Sequence, residues 1–272
     1  MNNTLNPLIA LALQEDIGSG DLSAQLIDAH QISRADIISR EAAILCGVEF
    51  AKSVFEQVDK TIIQDWRLKD GDMIKPNQII ASFEGPSRSI LTAERTALNF
   101  LQTLSATATR TAYFVDLIKG TKTILLDTRK TIPGLRAAQK YAVTVGGGTN
   151  HRQGLYDAIL IKENHIKACG SIKNAIHVTS AQDGIKVMIE VENLAELSEA
   201  ISAGATHIML DNFSIENIIK AVKMKPPSVK LEASGGINEH SIQQIANTGI
   251  DYISLGTITK NITSIDLSLL FL

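Results

Sequence analysis

The sequence has few cysteines and no excess of basic residues. Two cysteines, Cys46 and Cys169, are too few for a disulfide framework. The formal net charge of −3 argues against bulk nucleic-acid binding, which usually requires a strong basic excess on one face. No apolar run approaches the roughly 20 residues that span a bilayer, and the first residues lack the basic region and cleavage site of a signal peptide. We therefore expect a soluble protein of the reducing cytoplasm.

The composition is that of an ordinary globular protein. Hydrophobic residues make up 44% of the 272 residues and charged residues 20%, which argues against a disordered chain. This length suits one large domain or two unequal ones.

The first 118 residues mix helical and strand patterns. Leu5 to Gln14 has the apolar spacing of a helix, and VEFAKSVFEQV lies between the strand-like pieces ADIIS and TIIQDW. Residues 91–118 contain no glycine or proline and predict a long helix with an N-cap near Thr92. We predict a small N-terminal α+β sandwich domain over residues 1–118, ending in a long linking helix.

After Gly120 the pattern changes to six short apolar runs separated by amphipathic segments. The runs are TILLDT, DAILIK, VMIEV, HIMLD, VKLEAS and DYISLG. This alternation predicts parallel strands with helical crossovers, and hence an α/β domain over residues 119–272, with a return of the final strand to the N-terminal domain left open. Periodicity alone does not distinguish a closed barrel from an open, doubly wound sheet.

Each apolar run carries a chemically capable residue, or a glycine, at or near its end. These residues are Asp127, Arg129, Lys162, Glu190, Asp211, Ser234 to Gly236, and Gly256. A single charged residue at a strand end is often only the solvated end of that strand. Six such ends in succession favour a βα barrel of about six strands, whose strand carboxyl ends converge on one catalytic face.

Cations are concentrated between Asp127 and Lys167 although the protein is acidic overall. Arg129, Lys130, Arg152 and Lys162 flank predicted strand ends and are candidates for binding a ligand that carries carboxylate and phosphate groups. Arg136 and Lys140 lie four residues apart after Pro133, and we interpret them as the solvated face of a helix.

Two further features point to a phosphorylated ligand. Ser234-Gly235-Gly236 lies between a strand and a helix, and this junction and the next one are places where barrels often hold phosphate. Glu190 and Asp211 are carboxylates among these cations. They are either plain salt-bridge partners or groups that hold Mg²⁺ or sugar hydroxyls.

Several motifs together resemble the quinolinate phosphoribosyltransferase family, and the resemblance covers nearly the whole chain. The family motifs are EDIGSGD, ERTALNFLQ at Glu94, DTRKTIPGLR, KYAVTVGGGTNHRQGLYDAILIKENHI, LDNF, EASGGI and TGIDYISLG. The resemblance implies transfer of a phosphoribosyl group from phosphoribosyl pyrophosphate to quinolinate, with Mg²⁺. The products would be nicotinate mononucleotide, pyrophosphate and CO₂.

The resemblance also implies site residues and an assembly. The quinolinate-side residues would be Arg129, His151, Arg152 and Lys162, with Arg95 reaching in from the partner subunit of a homodimer; assembly beyond the dimer is left open. Lys130, Lys162, Glu190 and Asp211 would be catalytic, the last two serving ribose hydroxyls and metal. The substrate-binding set is completed by Thr128, Ser234, Gly235, Gly236, Leu255, Gly256 and Thr257.

Two other functions remain in view. A phosphoribosyltransferase for another aromatic acid, such as nicotinate, would share the fold, although two substrate carboxylates account better for so many cations. A non-catalytic sensor of a phosphorylated metabolite would show gaps in the polar set, and the sequence shows none.

Overall fold

The computed structural model describes residues 2–179 and 184–272, which form two units. The first unit contains Met1–Ala112, Ile132–Gly147 and Asn261–Leu272, and the second contains Tyr113–Thr131 and Gly148–Lys260. In chain order the elements are α1 (Asn2–Ile17), a 3-10 helix (Ser23–Leu26), β1 (Ile32–Ser39), β2 (Ala43–Ile44), α2 (Val48–Val58), β3 (Ile63–Trp66), β4 (Met73–Ile74), β5 (Ile79–Pro86), α3 (Ser87–Leu117), β6 (Ile124–Leu126), α4 (Arg136–Val145), β7 (Ala158–Ile161), α5 (Glu163–Cys169), α6 (Ile172–Thr179), β8 (Lys186–Val191), α7 (Leu194–Ser202), β9 (His207–Asp211), α8 (Ile215–Met224), β10 (Lys230–Ser234), α9 (Ile242–Ala246), β11 (Tyr252–Ser254), α10 (Thr257–Lys260) and β12 (Leu267–Phe271).

The first unit is built on a four-stranded antiparallel sheet in the order β12-β1-β5-β3. Ile37 of β1 pairs with Ala81 of β5 and with Leu269 of β12, and all three side chains are buried. The core also includes Phe55 of α2 and Phe83 of β5, whose rings stack with centroids 4.2 Å apart. Burial of these apolar side chains fixes the register, because a slip by one residue would turn them outward.

The two units divide the chain differently from the predicted boundary at residue 118. Residues 132–147 belong to the first unit because Ala138 and Ala142 of α4 are part of its core. The last strand, β12, also returns to the first unit, where it pairs with β1.

The long helix α3 begins earlier than predicted. It starts at Ser87, directly after β5, so the prediction of an N-cap at Thr92 is wrong. The Thr92 hydroxyl lies inside the helix, close to the carbonyl oxygen of Arg88 (2.9 Å) and to Oδ2 of Asp21 (2.9 Å). A hydroxyl four residues from a helical carbonyl is the interior arrangement of threonine.

Lys140 also departs from its prediction. Its side chain is fully buried in α4, whereas we expected the solvated face of that helix. Arg136 is half-buried. Spacing of four residues places two side chains on one helix face, but does not say whether that face meets solvent.

The second unit contains six parallel strands in the order β6-β11-β10-β9-β8-β7, joined by helical crossovers. Ser234 at the end of β10 pairs with Asp211 at the end of β9, and Ile161 pairs with Ile189, so the carboxyl ends lie at one edge. Within the described ranges no strand pair joins β6 to β7, and the barrel-like ladder is open between them. The predicted α/β fold with about six parallel strands is confirmed.

In the described part of the chain, no helix combines the length and the apolar character that crossing a membrane requires.

Candidate active site

A cavity of about 570 Å³ lies in the second unit at the carboxyl ends of the parallel strands. Most of the site residues predicted from the sequence line it together. They are Thr128, Arg129, Lys130, His151, Arg152, Lys162, Glu190, Asp211, Ser234 and Gly235. The convergence predicted from the strand ends is therefore present in the structure.

Five predicted residues do not line this cavity. Arg95 lies on α3 in the first unit, with its side chain 56% exposed. Gly236 and the three residues from Leu255 to Thr257 follow strands that do contribute lining residues. A Cβ atom at Gly256 would lie 2.9 Å from Cδ of Lys130, so Lys130 packs directly over this glycine.

Lys162 and Glu190 form an ion pair inside the cavity. Lys162 follows β7 directly, and its Nζ lies 2.7 Å from Oε2 of Glu190 in β8. The turn that places Lys162 is fixed because its backbone N–H donates to Nδ1 of His165 at 3.0 Å. Glu190 is therefore a salt-bridge partner of Lys162 in this structure. A bound substrate would compete for the same lysine.

The two arginines of the cavity carry charge in close proximity. Burial, followed by the positive charge of Arg129, lowers the pKa of Arg152 below its ordinary value, while Asp157 opposes this effect. The Arg152 guanidinium also donates from Nη1 to the carbonyl oxygen of Ala158 at 3.1 Å. Two cations held near each other favour an anionic ligand, because the ligand relieves their repulsion.

Asp127 lies beneath the cavity residues and is not among those that line the cavity. Its side chain is fully buried, and its Oδ1 accepts a hydrogen bond from the backbone N–H of His151 at 2.8 Å. The carboxylate thereby ties the end of β6 to the segment that carries His151 and Arg152.

Asp211, Asn212 and Gly235 form a close-packed corner of the cavity. Nδ2 of Asn212 donates to Oδ2 of Asp211 at 2.9 Å, and the backbone N–H of Asn212 donates to the carbonyl oxygen of Ser234 at 2.9 Å. Gly235 has a φ of +90°, and a Cβ there would lie 2.7 Å from Cγ of Asn212. Only glycine fits without displacing the side chain that holds Asp211.

Replacing Gly235 by alanine is expected to raise the KM for phosphoribosyl pyrophosphate, the phosphorylated substrate that the family resemblance implies, by about tenfold, since Asn212 and Asp211 must shift. Gly204→Ala is the matched control, because Gly204 has a φ of +91° and open space around it. The control should lose about 1 kcal/mol of unfolding free energy through backbone strain alone, with an unchanged KM. Steady-state kinetics and urea unfolding of both variants test this. Equal KM values for the two variants would refute it.

Glu232 in β10 lines the cavity and was not among the predicted site residues. It is fully buried, and its Oε2 lies 2.9 Å from Nε2 of His207 and 3.4 Å from Nε2 of His151. Burial alone would raise the pKa of Glu232, but the interactions with His151 and His207 outweigh it and lower the pKa to about 2. The carboxylate is therefore ionised at neutral pH.

The other lining residues missed by the sequence interpretation are Leu160, Met209, Asn212 and Ser254. Three of these four residues, and Glu232 as well, lie two positions before a predicted site residue in the sequence. Leu160, Met209 and Ser254 precede Lys162, Asp211 and Gly256 by two positions, as Glu232 precedes Ser234. Since side chains alternate between faces of a strand, a period of two could have identified them as the next layer inward.

Comparisons with known proteins show the family of this chain. The sequence model of the quinolinate phosphoribosyl transferase N-terminal domain matches residues 21–105, and that of the C-terminal domain matches residues 107–270. A Bacillus subtilis protein named "Probable nicotinate-nucleotide pyrophosphorylase [carboxylating]" is 42% identical over 257 residues, covering 94% of this chain and 89% of the relative. The nicotinate-nucleotide pyrophosphorylase of Mycobacterium leprae is 38% identical over 270 residues, covering 96% and 95% of the two chains.

A solved structure gives the same result. The nicotinate-nucleotide pyrophosphorylase from Francisella tularensis superposes with a TM-score of 0.97 at 50% identity, covering 100% of this chain and 97% of that one. The family predicted from the sequence motifs is thereby confirmed: the chain belongs to the quinolinate phosphoribosyltransferases and is an enzyme of that family.

Proposed function

We propose that this chain transfers the phosphoribosyl group of phosphoribosyl pyrophosphate to quinolinate, with decarboxylation, in the cavity at the strand ends. The observation that carries the proposal is the set of four cations, Arg129, Lys130, Arg152 and Lys162, that meets Glu190 and Asp211 there. Cations gathered in an acidic protein serve anionic substrates, and these two substrates carry carboxylates, a phosphate and a pyrophosphate.

The substrates divide between two parts of the cavity in this proposal. Quinolinate would occupy the part lined by Arg129, His151, Arg152 and Lys162, where guanidinium groups can bind carboxylates in bidentate fashion. The 5′-phosphate would approach the backbone N–H groups of Ser234 to Gly236 and of Leu255 to Thr257. Thr128 and Lys130 would lie near the ribose and pyrophosphate, with Glu190 and Asp211 at the ribose hydroxyls.

The chemistry requires two bond exchanges. The bond from C1 of the ribose to the pyrophosphate oxygen breaks, and the pyridine nitrogen forms a new bond to C1. Fixed lysines and arginines stabilise the negative charge on the departing pyrophosphate, while the carboxylates of Glu190 and Asp211 favour the positive charge that develops on the sugar.

Decarboxylation follows from the first exchange. The alkylated ring is a pyridinium, so it can hold the electron pair left at C2 when the adjacent carboxylate departs as CO₂, until a proton replaces it. The chain's own contribution is to hold the ring and exclude water.

In this proposal Mg²⁺ enters the cavity bound to the pyrophosphate of the substrate. In the described ranges no group of three or more histidine, cysteine or acidic side chains could hold a metal ion alone. Glu190 and Asp211 fit Mg²⁺ that arrives with a pyrophosphate, because this ion usually takes one or two carboxylates plus substrate phosphates. When bound it would supply charge neutralisation of the leaving pyrophosphate.

The assembly in this proposal is a homodimer in which Arg95 of each subunit completes the partner's site. Arg95 supports it by being exposed on the first unit, whereas the residues that line the cavity belong to the second unit. We place the enzyme in the cytoplasm, where a reducing environment suits the free thiols of Cys46 and Cys169.

The decisive experiment is a product assay. The purified protein, given quinolinate, phosphoribosyl pyrophosphate and Mg²⁺, should release CO₂ and form nicotinate mononucleotide in equal amounts. Nicotinate in place of quinolinate is the matched control, and it should give little product because one carboxylate is missing. Preferred turnover of nicotinate would reassign the substrate, and absence of turnover with both acids would contradict the proposal.

A further inference from the structure

Three buried titratable side chains, Glu232, His151 and His207, meet at one oxygen atom. We call them the Glu232 cluster. Oε2 of Glu232 faces Nε2 of both imidazoles, and the relative exposures of the three side chains are 0%, 7% and 6%. The ring of Tyr252 stacks on His207 with centroids 5.3 Å apart, so His207 is held from a second direction.

One hydrogen bond to the ring of His151 bears on its tautomer. Its Nδ1 accepts a hydrogen bond from the backbone N–H of Arg152 at 2.9 Å. A nitrogen that accepts a hydrogen bond carries no proton, so this contact favours a ring proton on Nε2, the nitrogen 3.4 Å from Oε2 of Glu232.

The cluster connects Glu232 to Arg152. Nε2 of His151 lies 3.4 Å from Oε2 of Glu232, Nδ1 of His151 accepts the backbone N–H of Arg152, and Arg152 lines the cavity. Arg152 also donates from Nη1 to the carbonyl oxygen of Ala158 at 3.1 Å, so the backbone contact with His151 is a second restraint on its position.

We propose that Glu232 is a positioning residue for the quinolinate side of the site: it holds His151 in one tautomer and orientation, and His151 holds Arg152. This proposal rests on the proposed function. In this proposal the positioning of His151 depends on Glu232 as a hydrogen-bond acceptor more than on its negative charge.

A purely structural carboxylate would have both oxygens satisfied. In the described part of the chain, Oε1 of Glu232 is buried and has no hydrogen-bond partner of good geometry, and Ser254 lines the cavity beside it. Glu232 lines the cavity, and a buried polar atom without a partner at such a place is expected to serve function.

Two substitutions separate hydrogen bonding from charge. Glu232→Gln keeps a carbonyl oxygen that can accept from both imidazoles, whereas Glu232→Leu has a similar size and no acceptor. Glu199→Leu is the control, because Glu199 is exposed on α7. Thermal unfolding of each variant establishes that it is folded before kinetics are measured.

We expect Glu232→Leu to raise the KM for quinolinate by at least about tenfold, with the KM for phosphoribosyl pyrophosphate within about twofold of wild type. Glu232→Gln should stay within about threefold for both substrates. A normal KM for quinolinate in the folded leucine variant would overturn the proposal. So would a loss in the glutamine variant equal to that of leucine, because the charge would then be the cause.

A spectroscopic measurement decides the matter even where the leucine variant does not fold. Long-range ¹H–¹⁵N spectra of wild type, with His151 identified by comparison with His151→Gln, should show the proton on Nε2 alone at neutral pH. The same tautomer should persist in Glu232→Gln. A proton on Nδ1 of His151 in wild type would overturn the proposal. Failure of the product assay in wild type would instead refute the proposed function and leave this tautomer result intact.

Discussion

Replacing Lys162 by alanine should reduce kcat/KM by about a thousandfold while leaving the fold intact. Its Nζ is 2.7 Å from Oε2 of Glu190 at the carboxyl ends of adjacent strands, within the proposed substrate cavity. The substitution removes a fixed positive charge and leaves the Glu190 carboxylate unpaired among anionic substrates. Loss of one preorganised charged donor typically costs about 10² to 10³ in rate, and the unpaired carboxylate adds repulsion.

The stability of this variant should change little. The Lys162 side chain is 42% exposed, and an ion pair so accessible to solvent contributes little to folding. Lys173→Ala is the matched control, since Lys173 is exposed on α6 and does not line the cavity. Steady-state kinetics with both substrates and thermal unfolding provide the two measurements. Activity within tenfold of wild type would remove Lys162 from the catalytic set.

The sequence predicts the second unit well because its signals are local. Each apolar run is one buried strand, and the polar residue after it marks the carboxyl end, as with Lys162 after β7 and Asp211 at the end of β9. Topology then brings these ends together without further information, since parallel strands with short crossovers all point the same way. The first layer of the site is therefore readable from strand ends alone.

The residues one layer further into the cavity are harder to predict, because in the sequence they resemble the interior of any strand. Glu232 stands in LEASGG as a charge within an apolar run, two residues before Ser234. Alternation predicts that both face the same side of the sheet. It does not predict that His207, at the amino-terminal end of a different strand, comes within 2.9 Å of the carboxylate. That contact depends on the register between β9 and β10, which no local pattern encodes.

Burial of charge within helices is the other property that local patterns miss. Lys140 has the spacing of a solvated helix position and yet is fully buried in α4. The segment that contains Lys140 belongs to the first unit, although in the sequence it comes between two strands of the second unit. Spacing along one helix cannot report such a placement, because the burial of a helix face is set by tertiary packing.

Arg95 is the predicted site residue that the homodimer proposal assigns to the partner's cavity. It lies on α3 in the first unit, 56% exposed, with Nη2 4.0 Å from Oε1 of Glu94. A long exposed guanidinium bound only loosely to a neighbouring carboxylate is free to serve an anion presented by another subunit. The homodimer proposal assigns it this role, and a mixed dimer can test it directly.

A dimer of one Arg95→Ala subunit and one Lys162→Ala subunit should recover about half of the wild-type activity, whereas each variant homodimer should be almost inactive. The cavity of the Arg95→Ala subunit keeps its own Lys162 and receives Arg95 from its partner, so one site of two is complete. Coexpression with two affinity tags and tandem purification would isolate this mixed dimer.

The matched control pairs Lys162→Ala with Glu190→Ala, two substitutions in the same cavity. Each subunit then has a damaged cavity whichever partner it receives, so no activity should return. Recovery in the first mixed dimer and none in the second would mean that Arg95 acts across the subunit boundary. If neither mixed dimer recovers activity, Arg95 serves the cavity of its own chain, and the shared-site assembly is wrong.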